Sequence, residues 1–402
     1  MSLRTETVYK ADRADELAQH SEVQGSTREV NTEVVQLEFT LLSGEIPTVQ
    51  ANGEVSRRNR TVAVSTGRPE PVRCVSTLDP QHAAMTPHGQ AEELEASGGK
   101  HRDAQTSLLE QILSRENMLT AWTRVKTNKG AAGMDHMSIE SFPEFARHHW
   151  ERIRSALYEG TYHPAAVRRV MIAKANGGQR PLGIPTVLDR VIQQAVAQVI
   201  GPLFEPQFSA HSYGFRPQRN ARMALAAMEA ANRDGLKFAV DCDLKSFFDT
   251  VNHGLLMNRL ARRISDPRVL RLIGRYLRAG VVTPDGNREG TVCGVPQGGP
   301  LSPLLANVML DDLDSELERR NLRFVRYADD FLIFVSSHKA AQRVLATVTR
   351  FLNRHLKLKV NKAKSKAARI NACGFLGFEL RRGKLRWTAK AVQRFKQRIR
   401  RS

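Results

Sequence analysis

The tetrapeptide Tyr327-Ala328-Asp329-Asp330 stands between two apolar runs that read as strands, Leu322 to Arg326 and Phe331 to Val335. Two such runs with a short polar interruption are the sequence form of a β-hairpin, so two adjacent carboxylates are expected at its tip. An Asp-Asp pair in an exposed turn is commonly a solvated turn former and nothing more. A second acid cluster argues for chemistry. In the run Lys237 to Leu244, period-2 alternation puts Phe238, Val240, Cys242 and Leu244 on one face of a strand and Ala239, Asp241 and Asp243 on the other. Carboxylates held close raise each other's pKa unless a cation neutralises them, and their hard oxygens suit a divalent metal such as Mg²⁺. Asp243 brought beside Asp329 and Asp330 would supply three carboxylates for two ions about 3.5–4 Å apart, which activate a 3′-hydroxyl and stabilise a leaving pyrophosphate. The expected chemistry is nucleotidyl transfer.

Charge distribution narrows the partner. The 402 residues carry a net charge of +20, yet residues 1–100 hold 10 Lys+Arg against 15 Asp+Glu, so the basic excess belongs to the rest of the chain. A polyphosphate partner fits, because each phosphate neutralised by Lys or Arg releases counterions and adds affinity without sequence recognition. A basic binder of the ribosomal kind would lack the carboxylate clusters. Cysteines at 74, 242, 293 and 373 show no close pairing, which argues against a zinc module or a disulfide framework and fits a reducing cytoplasm. With no apolar run near 18 residues and no signal pattern at Met1, neither membrane insertion nor secretion is expected.

Residues 1–104 are rich in Ser, Thr, Gly, Pro, Gln and Glu, and only Val35 to Leu41 alternates like a strand, so this stretch is expected to be mostly disordered. Its acidity argues against an RNA-binding arm; a start codon upstream of an ancestral one would also produce it. Helical spacing begins at Gln105, with apolar residues at 108, 109, 112, 113, 118, 119, 122 and 125. Val167 to Ile184 reads as a hairpin around Gly177-Gly178, and Val187 to Phe204 as a long buried helix. Glycines 294, 298 and 299 mark a loop ahead of a helix opening near Ser302-Pro303. The last 22 residues hold ten Lys or Arg and no acid, with Val392, Phe395 and Ile399 at helical spacing, a basic amphipathic helix.

The order of these blocks carries a resemblance. Asp243-Leu-Lys-Ser-Phe-Phe248-Asp249, then Gly294-Val-Pro-Gln297-Gly298-Gly299-Pro300-Leu-Ser-Pro-Leu-Leu-Ala-Asn307, then the Tyr327 to Asp330 tip resemble the ordered palm motifs of reverse transcriptases, closest to the group II intron-encoded branch. Upstream, Asn128 to Asp135 looks like that family's N-terminal finger motif and Arg168 to Pro185 like its fingertip strands; downstream, Leu356 to Ser365 and Phe375-Leu-Gly-Phe378 look like its later palm motifs. The likeness runs from about Leu108 to Arg398.

The resemblance implies an α+β right-hand polymerase whose palm is a mainly antiparallel sheet backed by helices. It implies fingers over 105–235, a palm over 236–385 (the reverse transcriptase domain about 155–380), and the start of a thumb, also called X, over 386–402, where the chain stops. Asp243, Asp329 and Asp330 become the metal ligands, two Mg²⁺ ions with Mn²⁺ as a substitute. Asp243 is chosen over Asp241 because the family's metal-binding Asp is followed five residues later by an aromatic. The backbone carbonyl of Leu244 joins them. Phe248 is implied to exclude a 2′-hydroxyl, with neighbouring Phe247 the more natural core residue. Lys174 and Arg180 would clamp the nucleotide triphosphate, Gln297 and Gly298 lie beside the templating base, and Lys364, with Lys362 as alternative, would act on the departing pyrophosphate. The Asn128 to Asp135 loop touches template in relatives, or is simply a turn between helices. Arg216 contacts nucleic acid or anchors its loop; both readings stay open. The implied partners are an RNA template, a DNA primer, dNTPs and a cognate intron RNA, in a prokaryotic cytoplasm. A maturase-type splicing cofactor and an inactive, truncated remnant of a mobile element are the rival readings.

Overall fold

A computed structural model describes residues 107–173 and 179–400. The expectation of disorder over 1–104, Lys174 and the Gly177-Gly178 turn therefore lie outside the described residues. The first helical stretch is broken in two, α1 (Leu108–Ile112) and α2 (Arg115–Thr127), where spacing alone reads as continuous. The cause is local. Ser114 accepts from the Asn117 N–H and caps a new helix two residues after the first ends. α3 (Phe142–Tyr158) follows, then the hairpin of β1 (Val167–Ala173) and β2 (Gln179–Ile184), paired from Arg168 opposite Ile184 to Ala173 opposite Gln179. α4 (Val187–Phe204) has the bounds the apolar spacing predicts. It buries Val187, Val191, Ile192, Ala195, Val196 and Ile200, and Thr186 caps it.

After α5 (Ala221–Arg233) come β3 (Phe238–Cys242), the one-turn α6 (Phe247–Thr250), α7 (His253–Ala261) and α8 (Pro267–Arg278). Two short strands, β4 (Val281–Val282) and β5 (Arg288–Glu289), extend the first hairpin into a sheet of order β2-β1-β4-β5, with β4 parallel to β1. Then α9 (Ser302–Arg319), opened by Ser302-Pro303 as expected, leads into β6 (Arg323–Tyr327) and β7 (Asp330–Val335). α10 (His338–Phe351), β8 (Lys366–Arg369), the β9 (Phe378–Arg381) and β10 (Lys384–Trp387) hairpin, and α11 (Ala389–Ile399) complete the described chain.

The second four-stranded sheet, order β6-β7-β3-β8, is antiparallel throughout and covered on both faces. Val240, Cys242, Phe324, Phe331 and Ile333 point into a core shared with α4, α7, α8, α9 and α10. Ala239, Val325, Leu332 and Phe334 point the other way, against Leu225 and Met228 of α5 and Ile370, Phe375 and Leu380. The period-2 alternation of β3 is thus realised. The architecture is α+β, mainly antiparallel sheets backed by helices, as the sequence predicts.

Two glycines let the parts close on each other. Gly298 has φ of +114°, and a Cβ there would run into the Gly183 carbonyl of β2, while the Gly183 N–H donates to the Gln297 carbonyl at 2.7 Å. Gly214 has room for no side chain either, because a Cβ would meet the backbone nitrogen of Ala328 and the carbonyl carbon of Tyr327. Gly214→Ala is expected to destabilise the protein by about 1–3 kcal/mol, the usual cost of forcing extra atoms against a packed backbone. A lowered urea midpoint at unchanged slope is the result that checks it.

Candidate active site

The acid-bearing tip is tighter than the sequence indicates. Tyr327 pairs with Asp330, so the expected four-residue interruption reduces to a two-residue turn of Ala328 and Asp329, with Asp330 as the first residue of β7. Ala328 takes φ of +55°, a left-handed conformation that costs an L-residue about 1–2 kcal/mol. β3 runs antiparallel to β7 with Asp241 opposite Leu332 and Cys242 opposite Phe331. One further step along that register sets Asp243 across from Asp330, whereas Asp241 falls two residues back from the tip. Asp241 meets instead the ammonium of Lys366 at 3.9 Å, its partner on β8.

The segment after α10 holds Asp243 from the other side. The Asp243 N–H donates to the Ser365 hydroxyl at 2.9 Å, and its carbonyl accepts from the Asn361 N–H at 2.8 Å. Leu244 forms an antiparallel bridge with Val360, but the flanking hydrogen bonds use the Asp243 carbonyl and the Lys245 N–H, so the Leu244 carbonyl lies outside this bridge. Lys364 places its ammonium 4.0 Å from an Asp243 carboxylate oxygen. Ser365, the last residue of the Leu356 to Ser365 motif, is a direct support of Asp243 through its hydroxyl, a role that no spacing in the sequence signals.

The structure brings the other candidates into one neighbourhood by backbone contacts. The Val295 N–H donates to the Phe248 carbonyl at 2.6 Å and the Gly294 N–H to the Val251 carbonyl at 2.8 Å, which fastens the Gln297-Gly298 loop to α6. That loop in turn meets β2, on which Arg180 pairs with Ile172. Phe247 and Phe248 are both buried, with ring centroids 5.1 Å apart, so burial does not separate the two as the sequence reading does. The side-chain oxygen of Gln297 is buried and has no hydrogen-bond partner among the described residues. Such an atom is costly unless a ligand or water satisfies it. The Asn128 to Asp135 loop packs on β1 and α4, where its Ala132 and Ala131 carbonyls accept from Arg168 and Arg190.

Arg216 resolves to the anchoring reading. It is buried, forks onto the Glu205 carboxylate and donates to the Ser209 and Ser212 carbonyls. Sequence reasoning missed a second buried arginine altogether. Arg326, on β6 just before the tip, is fully buried and grips both oxygens of the equally buried Asp314 of α9. Its remaining arm donates to the Asn307 side-chain oxygen at 2.9 Å and to the Ala328 carbonyl at 3.0 Å. An arginine in a strand reads as an exposed position, and only its sequence neighbourhood to the acids could have flagged it.

One turn before Asp314, Asp311 has a buried carboxylate oxygen with no partner among the described residues. Burial first, then the Asp314 charge, push its carboxyl up to about 6. For the metal ligands expected, the donor set is hard oxygen and fits a divalent cation such as Mg²⁺. Among the described residues, no group of three His, Cys, Asp or Glu stands close enough to hold one ready-made. No helix among them is long and apolar enough to cross a membrane.

Residues 172–380 match the family described as reverse transcriptase (RNA-dependent DNA polymerase). The protein YkfC of Escherichia coli K12 is 35% identical over 274 residues, 58% of this chain and 72% of that protein. The group II intron-encoded protein LtrA of Lactococcus lactis subsp. cremoris is 36% identical over 222 residues, 55% of this chain but only 37% of LtrA. A solved chain of a partial Cas6-RT-Cas1–Cas2 complex overlays on 62% of this chain and 43% of its own at 25% identity and a TM-score of 0.40.

The raised carboxyl of Asp311 sets a pH dependence. The folded protein holds the Asp311 proton up to about pH 6 while the unfolded chain releases it near 4, so this residue's contribution to stability falls as pH rises from 4 to 6 and stays low above. Asp311→Asn, which never ionises, is expected to match the wild type at pH 4 and to exceed it above pH 6. Allowing for solvent screening of the part-exposed carboxyl, the gain is about 1 kcal/mol, or about 2–4 °C in Tm. Melting curves at pH 4 and 7.5 check it.

Proposed function

The chain belongs to the reverse transcriptase (RNA-dependent DNA polymerase) family, and from that membership we propose that it extends a DNA primer on an RNA template, in the manner of a group II intron-encoded enzyme. The observation that supports the reading is the β3–β7 register, in which Cys242 pairs with Phe331: continued by one residue it would bring Asp243 across from Asp330, next to Asp329 in the turn. Two Mg²⁺ ions held there by Asp243, Asp329, Asp330 and the Leu244 carbonyl would lower the pKa of the primer 3′-hydroxyl and neutralise charge on the leaving pyrophosphate. Mn²⁺ is a chemically acceptable substitute.

The chain's own residues supply the rest. Lys364, beside Asp243, is placed to hold a proton or positive charge toward the departing pyrophosphate. Arg180, with its planar fork, and Lys174 bind the triphosphate. Gln297 offers its unpaired oxygen near the nascent base pair, Gly298 admits the backbone to the same place, and Phe248 closes the space a 2′-hydroxyl would need. In this reading residues 105–235 are fingers, 236–385 palm and 386–402 the start of a thumb. The basic α11 is seated by the Trp387–Phe395 ring contact and adds phosphate-binding charge.

The likeness to LtrA, whose name marks it as encoded by a group II intron, favours a second activity for the same surface, binding of a cognate intron RNA as a splicing cofactor. One experiment separates the two. Asp243→Ala, Asp329→Ala and Asp330→Ala are each expected to lose nearly all primer extension, at least a hundredfold, while RNA affinity stays within a few-fold, because phosphate contacts do not depend on the carboxylates. Extension by Asp329→Ala comparable with wild type would sink the polymerase assignment. Phe248→Val is expected to raise NTP use relative to dNTP. Since the ring is buried, its Tm is measured alongside, and a stable variant with an unchanged NTP/dNTP ratio makes Phe248 a core residue only.

A further inference from the structure

Arg326 and Asp314 are charged side chains with no solvent exposure at all, an arrangement that apolar residues of similar volume usually match in stability. What an apolar pair cannot do is donate a hydrogen bond. The arm of Arg326 not engaged with Asp314 reaches the carbonyl of Ala328, the residue whose left-handed backbone makes the two-residue turn. The same arm meets the Asn307 side-chain oxygen, and the Asn307 amide donates at 2.9 Å to the Gly214 carbonyl. Gly214 packs against the Ala328 nitrogen, close enough that a Cβ would clash with it. These contacts form a ring from Arg326 to Asn307, Gly214, Ala328 and back. The strand under the ring is fixed as well, since the Arg326 N–H donates to the His211 carbonyl at 2.9 Å and its carbonyl accepts from the Tyr213 N–H at 2.8 Å.

We propose that Arg326, oriented by Asp314 and Asn307, is a positioning residue for the carboxylate turn. It holds the Ala328 peptide in the left-handed conformation and so fixes the direction in which the next residue, Asp329, presents its carboxylate to a divalent cation. The proposal rests on the reading of this turn as the metal-binding tip of a polymerase. Asp314 acts through Arg326 by occupying both of its other nitrogens, and α9 thereby couples to the tip.

The test compares wild type with Arg326→Met/Asp314→Leu, which replaces the ion pair by apolar side chains, and with Asn307→Ala, which keeps the pair but opens the ring. Four quantities are measured: Tm, amide hydrogen exchange of the peptide spanning 322–335, the Mn²⁺ titration midpoint from water-proton relaxation, and primer extension. The expected result is a folded double variant whose turn amides exchange faster and whose Mn²⁺ midpoint rises, each by about tenfold, the size of one hydrogen bond to a charged group. Asn307→Ala is expected to move in the same direction by less. Unchanged turn exchange and Mn²⁺ midpoint in a folded variant overturn the proposal, and so does failure of both variants to fold, which makes the pair a plain requirement of the core. If wild type binds Mn²⁺ but extends no primer while the variants still lose turn protection and affinity, the polymerase reading falls and the positioning role stands. A wild-type chain with neither extension nor a saturable Mn²⁺ site overturns both.

Discussion

Everything at the candidate site follows from how β3 lies against β7. Side chains alternate across a sheet, so a one-residue slip would turn Val240 and Cys242 away from one core and Ala239 away from the other. Because both faces of this sheet are buried, slippage is penalised twice over, and the register is held by a larger apolar area than a one-sided sheet could offer. The acids take their places as a by-product. Asp243 follows Cys242 at the end where the pairing with β7 stops, and its charge is tolerated there because the strand ends and the Lys364 ammonium stands by at 4.0 Å. Hydrophobic burial thus provides the energy that sets the acid-bearing ends of β3 and β7 side by side.

This division of labour explains what the sequence made legible. The alternation of Phe238 to Leu244, the helix from Val187 to Phe204 and the opening of α9 at Ser302 are local signals of period and capping, and each appears where the pattern puts it. The break after Ile112 was invisible to apolar spacing because the spacing persists through it, and Ser114 decides the matter by capping. The hairpin tip was placed correctly but drawn too loose, since Ala328 gives no hint of a left-handed conformation that glycine or asparagine would advertise. β4 and β5 are two residues each, too short for any period to show.

The polar interior is the part the sequence hid. Arg216, Arg326, Asp314 and Asn307 are buried groups whose residue types belong statistically at the surface, and no spacing rule marks the exceptions. Two of them sit inside recognisable motifs, Asn307 at the end of the glycine-rich block and Arg326 directly before the acidic tip, yet the motif reading assigned them nothing. For Arg326 and Asn307 most of the partners lie far along the chain: Asp314 and Asn307 are 12 and 19 positions from Arg326, and Gly214 is 93 from Asn307. Contacts of that range are a property of the assembled fold.

The same argument extends to the other side of the site. β2 and the Gln297-Gly298 loop are joined where two backbones meet at Gly183 and Gly298, with a hydrogen bond but no side chain between them. A contact made only of backbone transmits position without slack, because there are no rotamers to absorb a shift. Movement of the β1–β2 hairpin, which carries Arg180, must therefore move the loop that carries Gln297, and that loop is itself bonded to the Phe248 and Val251 carbonyls. The segments that carry Arg180 and Gln297 are in this way mechanically one unit, fastened through the Phe248 and Val251 carbonyls to the helix that follows β3.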